Sequence, residues 1–310
     1  MKPFRKHVAV AIDGGGIRGV MIARALIMLE EALSLPVQHI FRLTAGTSTG
    51  SIIAAGIAAG LSARQMCQLY VDLGPLIFQK SWRSWLWPLT RYRYSSLPLV
   101  DALNQYLGER VMGDFWHSEP QTDVVITAFD LKVNRSLFIK PWKSEYQDWR
   151  VSKAVLASCT VPTYFPVVEG RYVDGGVGSY ANPCYLAAYE AYYCLGWDPA
   201  ETTLISLGTG RSPHRFADGN RLCAWDWLAP ALDAFMQSAQ DQQVHLVENF
   251  FPALDFRRFQ VNLAQPIAMD DVHAIPRLLV YGDELGHMIL GDLTDSAQGV
   301  IPKLIPSEAD

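Results

Sequence analysis

Charge is scarce in this chain. Asp, Glu, Lys and Arg make up 18% of its 310 residues, and the net charge is −5. Without a basic excess there is no electrostatic footprint for nucleic acid, which is not an expected partner. Cysteine is scarcer still: Cys67, Cys159, Cys184, Cys194 and Cys223, odd in number and with no Cys-x-x-Cys pair. That argues against a disulfide frame or a zinc ribbon and suits reduced thiols in the cytoplasm. No apolar run reaches the roughly 20 residues of a bilayer span. The longest, 51–63, is short and rich in Gly and Ala, and no leader-like run precedes Asp13. Membrane contact is therefore expected to be peripheral. There is no loop of alternating Asp and Asn with Gly and no His-Glu-x-x-His, so no metal or other cofactor is expected. Repeats, low-complexity tracts and clear linkers are lacking too.

What is abundant is apolar: half the residues are hydrophobic, enough for a large α/β core in one domain over 1–310. The chain turns on Gly46-Thr47-Ser48-Thr49-Gly50. A predicted strand, 39–45, enters this turn and a predicted helix, 51–60, leaves it. That is the context of a nucleophile elbow, which throws Ser48 into an exposed, strained position. Gly46 and Gly50 leave room where strand and helix pass closely. The helix N-terminus points its positive end at the hydroxyl.

A second glycine cluster lies upstream. The strand 7–12 ends at Asp13-Gly14-Gly15-Gly16-Ile17-Arg18-Gly19, and an amphipathic helix runs on to Leu33. Bare amides at a helix start make an anion site. Gly14-x-Gly16-x-x-Gly19 fits a dinucleotide fingerprint, but Asp13 repels a pyrophosphate and the second strand lacks the acidic residue at its end. The stronger reading is an oxyanion hole, with the amides of Gly15 and Gly16 holding an oxygen at Ser48. Losing one such donor typically costs about 10²–10³ in rate. Arg18 either adds positive charge at a substrate phosphate or the oxyanion, or lies on the surface.

Further strands are predicted at 123–129, 135–139, 167–173, 203–207 and 256–263. Helices are predicted at 97–107, 151–157, 226–250 and 275–286. Ser62 is expected to cap a helix through Leu73, and Asn182-Pro183 to open another to Leu195. Asp174-Gly175-Gly176 follows the strand 167–173, so Asp174 is either a turn aspartate or a carboxylate on the same sheet edge as Ser48. Between Asp72 and Asp101 there is no acid, and Trp82, Arg83, Trp85, Trp87, Arg91 and Arg93 interleave. This pattern suits an anionic membrane interface or lid, a surface for a phosphate-bearing ligand or a neighbouring subunit, or packing at the core edge. His214, His245, His273 and His287 stand in no motif.

The residues 13–19, 46–50 and 174–176 together resemble the patatin-like phospholipase family. The stretch from Ala157-Ser158 to Phe165-Pro166 is similar to the family's run ahead of its catalytic acid. The resemblance covers about 8–210. It implies a three-layer α/β/α sandwich with a mostly parallel central sheet, which 211–310 completes. It implies a Ser48–Asp174 dyad with Asp174 as general base, in place of a histidine. Around the dyad it implies an oxyanion loop of Gly14, Gly15 and Gly16 with Arg18. Gly46, Gly50, Gly175, Gly176 and Asn182 give support, Asn182 fixing the Asp174 loop. The implied activity is calcium-independent acyl hydrolysis of glycerophospholipids or lysophospholipids at a membrane. A second expectation is the same hydrolase as an antiviral effector, a homo-oligomer switched on by a cyclic nucleotide. A third is a lipid-binding module with a dead site.

Overall fold

The computed structural model of the chain describes residues 1–86, 89–117, 120–212 and 224–294. Trp87, His214 and Cys223 lie outside them.

In chain order the elements are β1 (His7–Ile12), α1 (Gly19–Leu33), α2 (Val37–Ile40), β2 (Leu43–Thr47), α3 (Thr49–Ala58), α4 (Ala63–Gln68), α5 (Gly74–Ile77), α6 (Trp82–Trp85) and α7 (Leu97–Leu107). Then come β3 (Asp123–Asp130), β4 (Arg135–Ile139), α8 (Val151–Cys159), β5 (Tyr172–Asp174), α9 (Cys184–Tyr189), β6 (Thr202–Leu207), α10 (Ala224–Phe250), β7 (Asp255–Phe259) and α11 (Ile275–Gly291). The strand order is β4-β3-β2-β1-β6-β7, with β5 also on β3. Strands β3, β2, β1, β6 and β7 are parallel; β4 and β5 run antiparallel to β3.

Alternation along β1 builds the layers. Val8, Val10 and Ile12 join a core with residues of α1, α3, α8 and α11, while Ala9 and Ala11 join a second core with α9 and α10. Opposite faces of one strand thus feed opposite helix layers, giving the α/β/α sandwich expected.

Four elements depart from the sequence reading, one of them the strand expected over 256–263, which ends at Phe259. The second strand starts at Leu43, not at residue 39. Pro36 and a bond from the Val37 amide to Glu30 Oε1 (3.0 Å) favour the helical turn α2 there. The strand expected over 167–173 shrinks to Tyr172–Asp174, because Glu169 and Gly170 both adopt positive φ and turn the chain. The helix expected to end at Gly286 continues to Gly291. Gly282 and Gly286 are contact points, not breakers: a Cβ on either would strike Arg24 or Met28 of α1. Ser62 does cap α4, through reciprocal bonds with Gln65.

Candidate active site

Ser48 sits between β2 and α3 with φ 54° and ψ −130°, strained as expected but buried and not exposed. A side chain rarely adopts such a backbone, and it persists only when the surroundings dictate it. They do. The Ser48 amide donates to Ser158 Oγ (2.8 Å). Its carbonyl accepts from the Ser51 amide (2.8 Å), Ser51 Oγ (2.6 Å) and Cys159 Sγ (3.0 Å). Gly46 and Gly50 are required because a Cβ on the first would overlap the Gly50 carbonyl, and one on the second the Ile12 carbonyl.

The glycine loop leaves β1 beside this turn. A Cβ on Gly14 would lie 3.0 Å from Ser48 Cβ. The Gly14 amide donates to Ala181 O (2.9 Å), so it is not available to an oxyanion, contrary to the expected three-glycine set. The amides of Gly15 and Gly16 have no acceptor among the described residues and remain the candidate donors. Arg18 braces the loop, its Nε donating to Gly15 O (3.3 Å). Beneath lies a charged anchor. Asp13, fully buried, takes both arms of Arg258 (2.9 and 2.5 Å), and Arg258 also reaches Ser206 Oγ (2.8 Å). Ser206 in turn donates to Asn182 Oδ1 (3.3 Å), which also accepts from the Cys184 amide (3.0 Å). The hydrogen bonds of Asn182 Oδ1 thus go to Ser206, which Arg258 links to Asp13, and to the start of α9, and not to the Asp174 loop.

Asp174 arrives by a different route from the one expected. Its strand is antiparallel, and it reaches the rim because β3 outruns β2. Residues 128–130 of β3 extend past Thr127, the partner of Thr47, and pair with β5, placing Asp174 opposite Ala128. The Asp174 amide donates to Thr160 O (3.2 Å), and its Oδ1 accepts from the Gly176 amide (2.8 Å). Gly175 packs on Thr127, with no space for a Cβ. Burial is the main influence on the carboxyl and lifts its pKa from 3.8 to about 6. The nearby Ser48 hydroxyl and the hydrogen bond from the Gly176 amide pull it partly back. Oδ2 is buried and accepts no hydrogen bond among the described residues. The Ser48 hydroxyl thus lies near the carboxyl without a well-formed hydrogen bond to it.

The family model for patatin-like phospholipase matches residues 10–188, a span that holds the glycine loop, the elbow and Asp174. The chain belongs to the patatin-like phospholipase family. The class of activity is that of a lipid ester hydrolase. Patatin-like protein 1 of Oryza sativa subsp. indica is 28% identical over 292 residues, covering 77% of this chain and 69% of that protein. Intracellular phospholipase A2 of Caenorhabditis elegans is 30% identical over 222 residues, 66% of this chain but only 19% of the relative. A cGAMP-activated phospholipase of Pseudomonas aeruginosa is 26% identical over 290 residues, 88% of this chain and 83% of that one. Among solved structures, VipD from Legionella pneumophila has a TM-score of 0.52 at 11% identity, covering 94% of this chain and 67% of VipD. At that identity the likeness speaks for the fold alone.

In this patatin-like site a narrow apolar pocket of about 50 Å³ begins at Ser48. Ile17, Ile52, Leu69, Ile77, Leu99 and Phe165 are among its walls. Ile17 and Phe165 fall inside the runs quoted from the sequence, with no pocket role assigned there; the other four read as ordinary core residues. Ser158, Cys159 and Arg258 were also missed as supports. The first two had a signal in the family-like run, and Arg258 had none. His245 is buried against Asn249, and His273 and His287 are exposed, so no described histidine after Asp174 meets Ser48.

The Trp/Arg segment adjoins the pocket wall. The amides of Arg93 and Tyr94 bond to Thr163 O and Tyr164 O (2.9 and 2.8 Å). Trp82 and Trp85 are 62% and 85% exposed, and Arg91 is exposed. Arg83 stacks on Trp82 and Tyr92, and Arg93 on Tyr164, each at 4.8 Å. Arg93 also lies 3.6 Å from Asp270.

Proposed function

We propose that this patatin-like protein hydrolyses acyl esters of glycerophospholipids or lysophospholipids through a Ser48–Asp174 dyad. The observation that carries the reading is the carboxyl of Asp174. It is buried beside the Ser48 hydroxyl at the mouth of an apolar pocket, with its pKa raised to about 6. At pH 7 such a carboxylate is mostly ionised, yet a far better base than an ordinary one. Ser48 Oγ attacks the ester carbonyl as its proton passes to Asp174. The carbonyl oxygen, now negative, is held by the amides of Gly15 and Gly16. Collapse breaks the bond to the leaving alcohol, which takes the proton from Asp174, and Ser48 keeps the acyl group. Water, deprotonated by Asp174, then releases the fatty acid and restores the hydroxyl. The acyl chain lies in the apolar pocket, and the exposed tryptophans beside its wall rest on the lipid surface.

The test is fatty-acid release from a phospholipid panel in EDTA. The wild type is expected to turn over, and Ser48→Ala and Asp174→Asn to be inert. Full activity in Asp174→Asn would remove the dyad; failure of a fluorophosphonate to label Ser48 in folded protein would favour a non-catalytic lipid-binding module.

A second reading has one observation behind it: the cGAMP-activated phospholipase aligns with 88% of this chain. On that reading a cyclic nucleotide switches the same hydrolase on, with assembly into a homo-oligomer. Strong turnover without ligand, and no ligand-dependent change in size on gel filtration, would reject it.

A further inference from the structure

We propose that the end of α8, Ser158-Cys159-Thr160, is a clamp that sets the separation of the Ser48 hydroxyl and the Asp174 carboxyl, with Ser158 as its positioning residue. The proposal rests on the dyad reading above. Ser48 and Asp174 come from different parts of the chain. Among the described residues, α8 with its cap Thr160 is the one element that hydrogen-bonds to the main chain of both. Ser158 Oγ takes the Ser48 amide at 2.8 Å, Cys159 Sγ donates to the Ser48 carbonyl at 3.0 Å, and Thr160 O takes the Asp174 amide at 3.2 Å. Three consecutive residues therefore grip the nucleophile at both its peptide groups and the carboxylate at its amide.

The clamp has a rigid mount. Ser158 and Thr160 are fully buried, as are Val151, Ala154, Val155 and Ala157 of the same helix. Pro162 stops the helix just beyond. Ser48, by contrast, holds a backbone that side chains avoid. Its amide needs an acceptor that no water supplies in a buried turn. The Ser158 oxygen is that acceptor. Without it the elbow has reason to relax toward ordinary φ, and the hydroxyl swings away from Asp174.

The test compares Ser158→Ala, Ser158→Thr and Ser158→Cys in the full chain, with rates normalised to the fraction that melts cooperatively. A misplacement of about 1 Å costs up to about 100-fold, so kcat of Ser158→Ala on a soluble acyl ester is expected to fall about 10–100-fold. KM stays within about twofold, because the pocket walls are untouched. Labelling of Ser48 by a fluorophosphonate slows by the same factor as kcat. Ser158→Thr, which keeps the oxygen, recovers most of the rate, and Ser158→Cys, a weak acceptor of similar size, falls between. A merely packing role predicts loss of folded protein with kcat per folded molecule unchanged. Equal labelling rates in wild type and Ser158→Ala, or a change in KM alone, overturn the clamp and leave the dyad standing. A wild type that never labels at Ser48 overturns both. Should Ser158→Ala not fold, the ordering of the other two decides: Thr no better than Cys refutes the proposal.

Discussion

Asp174→Asn should stabilise this protein while abolishing its proposed activity, and the gain should depend on pH. The carboxyl has a pKa of about 6 when folded, against 3.8 as its ordinary value, with burial as the leading cause. Each pKa unit corresponds to about 1.4 kcal/mol, so keeping Asp174 ionised at pH 8 costs about 3 kcal/mol. Asparagine is nearly the same shape and removes that cost. Its oxygen can keep the Gly176 amide, and its new amide faces the Ser48 hydroxyl as an acceptor. Imperfect pairing there gives back about 1 kcal/mol, leaving about 2 kcal/mol net. For a chain of this size that is roughly 3 °C in Tm.

The sign with pH follows from the raised pKa. The folded wild type binds a proton that the unfolded chain does not between pH 3.8 and about 6. Its stability contribution is therefore intact below pH 3.8 and lost as pH rises through about 6. The advantage of asparagine is flat above that, and shrinks by about 1.4 kcal/mol per pH unit as the solution is acidified below it. Urea melts of both proteins at pH 8, 7, 6 and 5 read this difference directly, and other titrating groups cancel in the subtraction. A variant less stable than wild type at pH 8, or a gain identical at pH 8 and pH 5, would refute the claim that Asp174 is held ionised against its surroundings. In the wild type, kcat/KM should rise with pH through about 6, as the base loses its proton.

Other perturbations read other parts of the site. Gly15→Ala forces a methyl into the Thr209 side chain beside the proposed oxyanion donors; kcat on a soluble ester should fall about 10²–10³-fold with the fold intact by circular dichroism. Gly74→Ala brings a methyl within 2.6 Å of Ile17 Cδ1 in the pocket wall. Its preference along a series of p-nitrophenyl esters should move to shorter chains, and an unchanged profile would take the acyl chain out of this pocket. Arg258→Gln strips the buried Asp13 of its partner, which should cost about 3–5 kcal/mol in urea melts. Trp85→Ser removes the most exposed tryptophan of the described segment, so co-sedimentation with anionic vesicles should weaken while the Tm stays put.

Much of this was legible in the sequence because it is local. A β-branched run such as His7–Ile12, a turn that tolerates only glycine at 46 and 50, and a capping box at Ser62 each declare themselves within a few residues. What could not be read is what the chain brings together from afar. The antiparallel course of β5 depends on β3 running three residues beyond β2, a matter of sheet register. The engagement of the Gly14 amide depends on Ala181, and the anchoring of Asp13 on Arg258, 245 positions away. The pocket walls carry no mark, because Leu69, Ile77 and Leu99 differ from other core residues only in bordering a space. The Trp/Arg segment was conspicuous by composition, yet composition did not reveal that Arg83 and Arg93 spend their guanidiniums on neighbouring rings.

The most direct measurement is the location of the acyl group during turnover. Protein mixed with phospholipid or an activated fatty ester, quenched in acid within one turnover and digested, should carry the fatty acyl chain as an ester on Ser48. Asp174→Asn should carry almost none. Hydrolysis that proceeds with residue 48 unmodified, or an acyl group found on another side chain, would contradict the account.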